Sequence, residues 1–173
     1  YSLEVTGIVK ILVSIVLSPL LGFVLAFSLM TLVRRLFFYS SPTKVNKASR
    51  KVQLLSAALY SIGHGGNDAQ KTMGIITVLL YSTGHMKGDF HVPMWVVISC
   101  QLAMGIGTLF GGWKIVKTMG LKIAKLSPLG GCCAETSGAI TLFLATHFGV
   151  PVSTTHTITG SIMGSGAATK FSA

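Results

Sequence analysis

A chain of 173 residues in which half the positions are hydrophobic and only four are acidic cannot cover a globular surface with charge, which excludes an ordinary water-soluble domain. Its mean hydropathy of +0.69 places it in a bilayer. The formal charge of +10 invites a nucleic-acid reading, but no basic face with interleaved aromatics accompanies it, so nucleic acid is excluded as a partner.

Residues Ile11 to Val33 form an uncharged run, and a hydrocarbon core takes about 20 helical residues to cross. The run is too long for the apolar region of a secretory signal, has no basic cluster before it, and ends at Arg34-Arg35. A spanning helix is predicted over 7–38, with Pro19 placed to kink it and Ser41-Pro42 closing it. Arg34, Arg35, Lys44, Lys47, Arg50 and Lys51 then read as one basic loop, and Lys114, Lys117, Lys122 and Lys125 as another; both are expected on the cytoplasmic side. The segment from Ser82 to Pro93 carries only Lys87 and Asp89, with His85 and His91, and fits the opposite side.

Over 52–81 an apolar piece to Ile62 meets a polar, glycine-rich motif and then a second apolar piece. As one helix these residues would reach about 45 Å, beyond a core of about 30 Å, so two half-helices with a break near Gly63 to Gly66 are expected. A third span follows over 94–113, where Gly107-xxx-Gly111 fits close helix packing. A fourth is predicted over 130–149 and ends at Gly149-Val150-Pro151. The hydroxyl-dense run from Pro151 to Gly160 is too polar to face lipid, so a re-entrant hairpin is expected over about 150–168. The expected fold is a single all-α polytopic membrane bundle over 1–173. Cys132 and Cys133 are adjacent, Cys100 lies in an apolar helix and no CxxC occurs, so the cysteines read as reduced and structural, with no metal.

Two polar islands carry the chemistry. The first is His64-Gly65-Gly66-Asn67-Asp68-Ala69-Gln70-Lys71. A helix restarting after Gly66 would present free N–H groups and its positive dipole end to an oxyanion. Asp68 could cap that helix, but a midplane acid costs about 2.5–3.5 kcal/mol even on the mildest scale. Binding a cation, exchanging a proton or balancing Lys71 is the better use of it. Lys71, three residues on, either pairs with Asp68 or offers a point charge to an anion. His64 reads as a hydrogen-bonding residue rather than a metal ligand. The second island holds Ser153, Thr154, Thr155, Thr157 and Thr159, hydroxyls that satisfy their own backbone or serve an oxyanion or a partly dehydrated cation. Glu135 is a further acid in apolar surroundings, beside Thr136 and Ser137.

HGGNDAQKTMG, then AETSGAI, then PVSTTHTITGSIMG resemble the inorganic phosphate transporter (PiT) family, in particular its second repeat, from about Leu54 onward. The resemblance implies symport of inorganic phosphate, free or as a metal-phosphate complex, with H+ or Na+ as coupling ion and no cofactor. It also implies a multi-pass protein of the plasma membrane, in bacteria the inner membrane. Its site would lie between inverted repeats, the other being the first repeat of the same protein or a second subunit. Carried onto its motifs, substrate binding falls to Asn67, Ser153, Thr154 and Thr155, joined by Lys71 on its charge alone, and cation or proton coupling to Asp68, Glu135 and His156. Lys71 stands where many family members have a second asparagine, which favours proton over sodium coupling. The motif occurs once where the family is expected to carry two copies, which fits a chain missing its first half, a truncated chain or a half-transporter that dimerises.

Three other readings compete. A sulfate or other oxyanion permease would use the same donors. An intramembrane metalloenzyme could use His64, Asp68 and His156 but lacks a compact ligand motif such as HExxH. A structural membrane subunit would leave both buried acids without purpose.

Overall fold

The computed structural model describes residues 5–86, 89–118 and 126–171, with side chains described except at 5–6, 114–116 and 171. These residues form α1 (Val5–Leu36), α2 (Pro42–Ser82), α3 (Met94–Thr118), α4 (Pro128–His147) and α5 (Thr154–Phe171). The architecture is an all-α bundle, as the composition requires. Within it Gly7–Leu36 and Met94–Trp113 are long and apolar enough to cross a membrane. Their outer faces, with Leu12, Val16, Leu20 and Val24 on α1 and Leu102, Leu109 and Phe110 on α3, are exposed apolar surface on a scale that water does not tolerate. This is a membrane protein.

The break expected at Gly63 to Gly66 is absent, and α2 runs unbroken for 41 residues. The energetics explain the difference. Gly63, Gly65 and Gly66 in a helix each cost about 1 kcal/mol relative to alanine. A break would strip several backbone groups of their partners at several kcal/mol apiece in an apolar setting. Gly63 also brings α4 close, since a Cβ there would stand 3.4 Å from Leu142 Cβ.

The first basic loop shrinks in the same way. Lys44, Lys47, Arg50 and Lys51 lie inside α2, which begins at Pro42, leaving only 37–41 as a connection. Lysine and arginine are good helix formers, and Pro42 suits a first helical turn. Of the second basic group, Lys114 and Lys117 lie in α3, while Lys122 and Lys125, like Lys87, fall outside the described residues.

α4 starts under a Ser127 cap, whose hydroxyl accepts from the Gly130 N–H at 3.1 Å. It ends in a left-handed Gly149 (φ 62°), with Val150 N–H donating to Ala145 O at 2.9 Å and Gly149 N–H to Thr146 O at 3.1 Å. This is the Schellman arrangement, which turns the chain back sharply. α5 then returns antiparallel to α4, and Ser165 Oγ donates to Gly130 O at 2.9 Å near the hairpin's base. The hairpin expected within 150–168 therefore takes another form. Residues 154–171 are one helix, and the two arms are α4 and α5 with a tip at 148–153. Proline and Gly149 lie at the tip, and within α5 nothing breaks the hydrogen-bond ladder.

α5 lies against α1 backbone to backbone. A Cβ at Gly160 would stand 2.1 Å from Pro19 O, and one at Gly164 would stand 2.2 Å from Phe23 O. Here only glycine fits. The glycines that sequence spacing assigned to packing, Gly107 and Gly111, face open space, where an added Cβ would meet no described atom within 4 Å. Among the described residues α3 packs on α2 alone, through Ala69, Met73, Val96 and Cys100, and its glycine-rich half projects away.

Candidate functional site

α2 runs alongside α4 in the same direction, and the hairpin tip comes to rest beside Asp68 and Lys71. Residues His64, Asp68 and Lys71 share one face of α2 at spacings of four and three. His64 Nε2 lies 3.1 Å from Asp68 Oδ2, and Lys71 Nζ lies 3.2 Å from Asp68 Oδ1. A carboxylate oxygen only accepts, so this geometry assigns a proton to His64 Nε2. From the tip, Thr154 Oγ1 donates to Asp68 Oδ2 at 2.9 Å. Lys71 Nζ donates in turn to Val152 O at 3.3 Å, and the Tyr60 hydroxyl donates to Thr154 O at 3.1 Å. The Tyr60 ring meets His64 edge to face at 5.9 Å. α2 thus grips the tip through Tyr60, Asp68 and Lys71, three points spread over three helical turns.

Thr154 is also the first residue of α5. Its N–H and that of Thr155 precede the first intrahelical bond, and Ser153 serves the next two, its Oγ accepting from His156 N–H at 3.4 Å and its carbonyl from Thr157 N–H at 3.0 Å. The helix N-terminus that sequence patterning placed in α2 after Gly66 is therefore supplied by α5, directly beside Asp68. Asn67 and Asp68 are mid-helix residues and cap nothing.

Glu135 is elsewhere. It faces the start of α2, where Ser56 Oγ lies 2.8 Å from its Oε2 and Gln53 Nε2 donates to its Oε1 at 3.3 Å. Ser56 precedes Asp68 by twelve residues, about 18 Å along the helix. Glu135 and Asp68, grouped together on sequence, contact different residues in this chain. Gly131 makes room for the contact, since a Cβ there would stand 2.6 Å from Gln53 Nε2.

The other expected residues divide similarly. Ser153 is half-buried, while Thr155 and His156 are exposed on α5. Asn67 is buried, and its Oδ1 accepts no hydrogen bond. Among the described residues no three His, Cys, Asp or Glu side chains converge as a metal would require, and His156 does not join His64 and Asp68. The crevice of about 250 Å³ between α1 and α4 is lined by apolar side chains, four of them leucines, with Ser14, Ser18 and Thr141, and offers an anion no charged group. Gln53, Ser56 and Tyr60 were missed on sequence. Their signal was present all the same: 53, 56, 60, 64, 67 and 71 form a polar stripe at helical spacing along the middle of α2.

The sequence model of the phosphate transporter family matches residues 2–173. The chain belongs to that family. It is 60% identical over 167 residues to a probable low-affinity inorganic phosphate transporter of Rhizobium meliloti, covering 96% of this chain and 50% of that protein. A protein of the same description from Bacillus subtilis is 47% identical over 166 residues, again covering 96% of this chain and 50% of the relative. One from Mycobacterium bovis is 40% identical over 163 residues, covering 93% and 39%. No solved structure matches. The chain thus spans about half the length, or less, of these curated relatives. Within this family member, the three motifs that carried the resemblance map onto the middle of α2, the body of α4 and the start of α5.

Proposed function

We propose that this chain forms one half of a multi-pass plasma-membrane symporter for inorganic phosphate, not an enzyme, and that uptake is coupled to a cation, a proton in preference to sodium. The observation that carries the reading is the meeting of two separate motifs. The Asp68–Lys71 pair of α2 is clamped to the tip of the α4–α5 hairpin through Thr154 and Val152, beside a helix N-terminus. A tetrahedral oxyanion wants such donors: an ammonium, hydroxyls and unsatisfied backbone N–H groups. Lys71, Ser153, Thr154 and Thr155 supply them on this side, and Asn67 adds a buried amide. The half-exposed Lys71 faces the side on which the first repeat, or a second subunit, would complete the site.

Asp68 and Glu135 handle the coupling ion in this reading, Asp68 next to the substrate and Glu135 a helical distance away, with His156 on the outer approach. Membership of the phosphate transporter family and the names of the relatives support phosphate over sulfate. Chemistry agrees, because a protonated phosphate can donate to Asp68 whereas sulfate only accepts. Phosphate uptake by proteoliposomes holding the complete protein, under an imposed proton or sodium gradient, tests the proposal. Uptake driven by the proton gradient is expected; a folded preparation showing none under either gradient overturns it.

A further inference from the structure

The half-exposed Lys71 ammonium bridges two oxygens from separate elements. Its ligands are all oxygens, the Asp68 carboxylate at 3.2 Å and the Val152 carbonyl at 3.3 Å. The carboxylate is steadied from its other oxygen by the buried Thr154 hydroxyl. A carboxylate, a main-chain carbonyl from a non-helical stretch and a neighbouring hydroxyl are what a hard cation selects. Val152 and Thr154 belong to the tip, whereas Asp68 and Lys71 belong to α2, so the positive charge also joins two separate elements.

We propose that Lys71 is a tethered cation: its ammonium fills a monovalent-cation position between α2 and the hairpin tip, so that the site carries its positive charge permanently instead of drawing a metal cation from solution, which leaves the proton as the coupling ion that Asp68 handles. The inference deepens the proposed function and rests on its reading of Asp68 as the residue that holds the cation. Its physical basis is exclusion. A second positive charge about 4 Å from the ammonium would bind about a thousandfold more weakly than in its absence, at an effective dielectric constant near 20. With the lysine in place the oxygens are occupied. Without it, an anionic carboxylate and a carbonyl face the space the ammonium held and will accept a metal cation.

The test is the melting temperature of the complete protein without phosphate, in sodium, lithium, potassium or choline chloride at constant ionic strength. The wild-type protein is expected to respond alike to all four salts. Lys71→Ala is expected to melt lower in choline and to gain a saturable rise of a few degrees in at least one of the metal salts. Adding Asp68→Asn to that variant should abolish the rise. Should the alanine variant fail to fold, Lys71→Gln, which retains the stem and loses the charge, reads the same response. A folded Lys71 variant indifferent to the choice of salt, or a wild-type protein with the same saturable response, overturns the proposal. Because no phosphate is present, failure here is separate from failure of phosphate uptake.

Discussion

α2 holds an acid at two levels, and the two are held differently. At Asp68 the partners are an ammonium, an imidazole, a hydroxyl and the start of a helix, all at the edge where the tip ends. At Glu135, on the flank of α4, the partners among the described residues are a hydroxyl and an amide. The first arrangement balances its charge internally, and ties together elements that are distant in sequence. The second leaves a carboxyl with neutral donors only, in a setting where an unbalanced charge is expensive. Among the described residues, α2 therefore meets one acid in a charge-compensated junction and another among neutral donors.

The comparison breaks most directly at Asp68. Asp68→Asn removes the charged acceptor from Lys71 and Thr154, and hydrogen bonds to charged groups contribute about 1.5–3 kcal/mol each. Phosphate uptake by the complete protein is expected to fall about tenfold or more, with membrane insertion intact by protease protection. Unchanged uptake would remove Asp68 from the mechanism.

Glu135→Gln sharpens the contrast, since glutamine keeps the shape and the hydrogen-bonding capacity. Gradient-driven uptake is expected to fall several-fold, while exchange of internal for external phosphate, which needs no net cation movement, persists. Equal loss of both processes would mean that the two clusters act as one site.

A smaller effect separates the clusters mechanically. Gly160→Ala drives a methyl into Pro19 O and pushes α5 away from α1, so the tip at Asp68 moves while the α2–α4 contact at Glu135 stays. Overpacking of this kind costs about 1–3 kcal/mol. A lowered unfolding midpoint is expected in a detergent titration, whereas Gly107→Ala, on an open helix face, should be neutral or stabilising by up to about 1 kcal/mol. Equal loss in the two variants would contradict the close packing of α5 on α1.

Much of the molecule is legible in its sequence. The uncharged run of α1, the two polar islands and the turn at Gly149-Val150-Pro151 are local patterns, and local patterns are read from neighbours a few residues apart. The i, i+3 pairing of Asp68 with Lys71 follows from helical spacing, although the sequence pattern sets it beside a break that does not exist. The continuity of α2 escapes prediction because glycine content reports the cost of a helix and is silent on the larger cost of breaking one among apolar neighbours. The packing glycines are misplaced because Gly107-xxx-Gly111 and Gly160-xxx-Gly164 are the same pattern, and only a facing helix distinguishes them.

From the sequence alone came the bilayer as solvent, the helical class, the kinship with phosphate transporters and the residue types that any site would use. The tertiary structure decided which of those residues meet. Composition and periodicity act within one helix, where spacing is set by 3.6 residues per turn. The register between α2 and α4, and the point at which the hairpin tip stops along α2, depend on contacts between residues up to 94 apart, as in the bond from Tyr60 to Thr154. That register places Thr154 and Val152 at the Asp68–Lys71 pair and Glu135 at Ser56, about 18 Å back along α2.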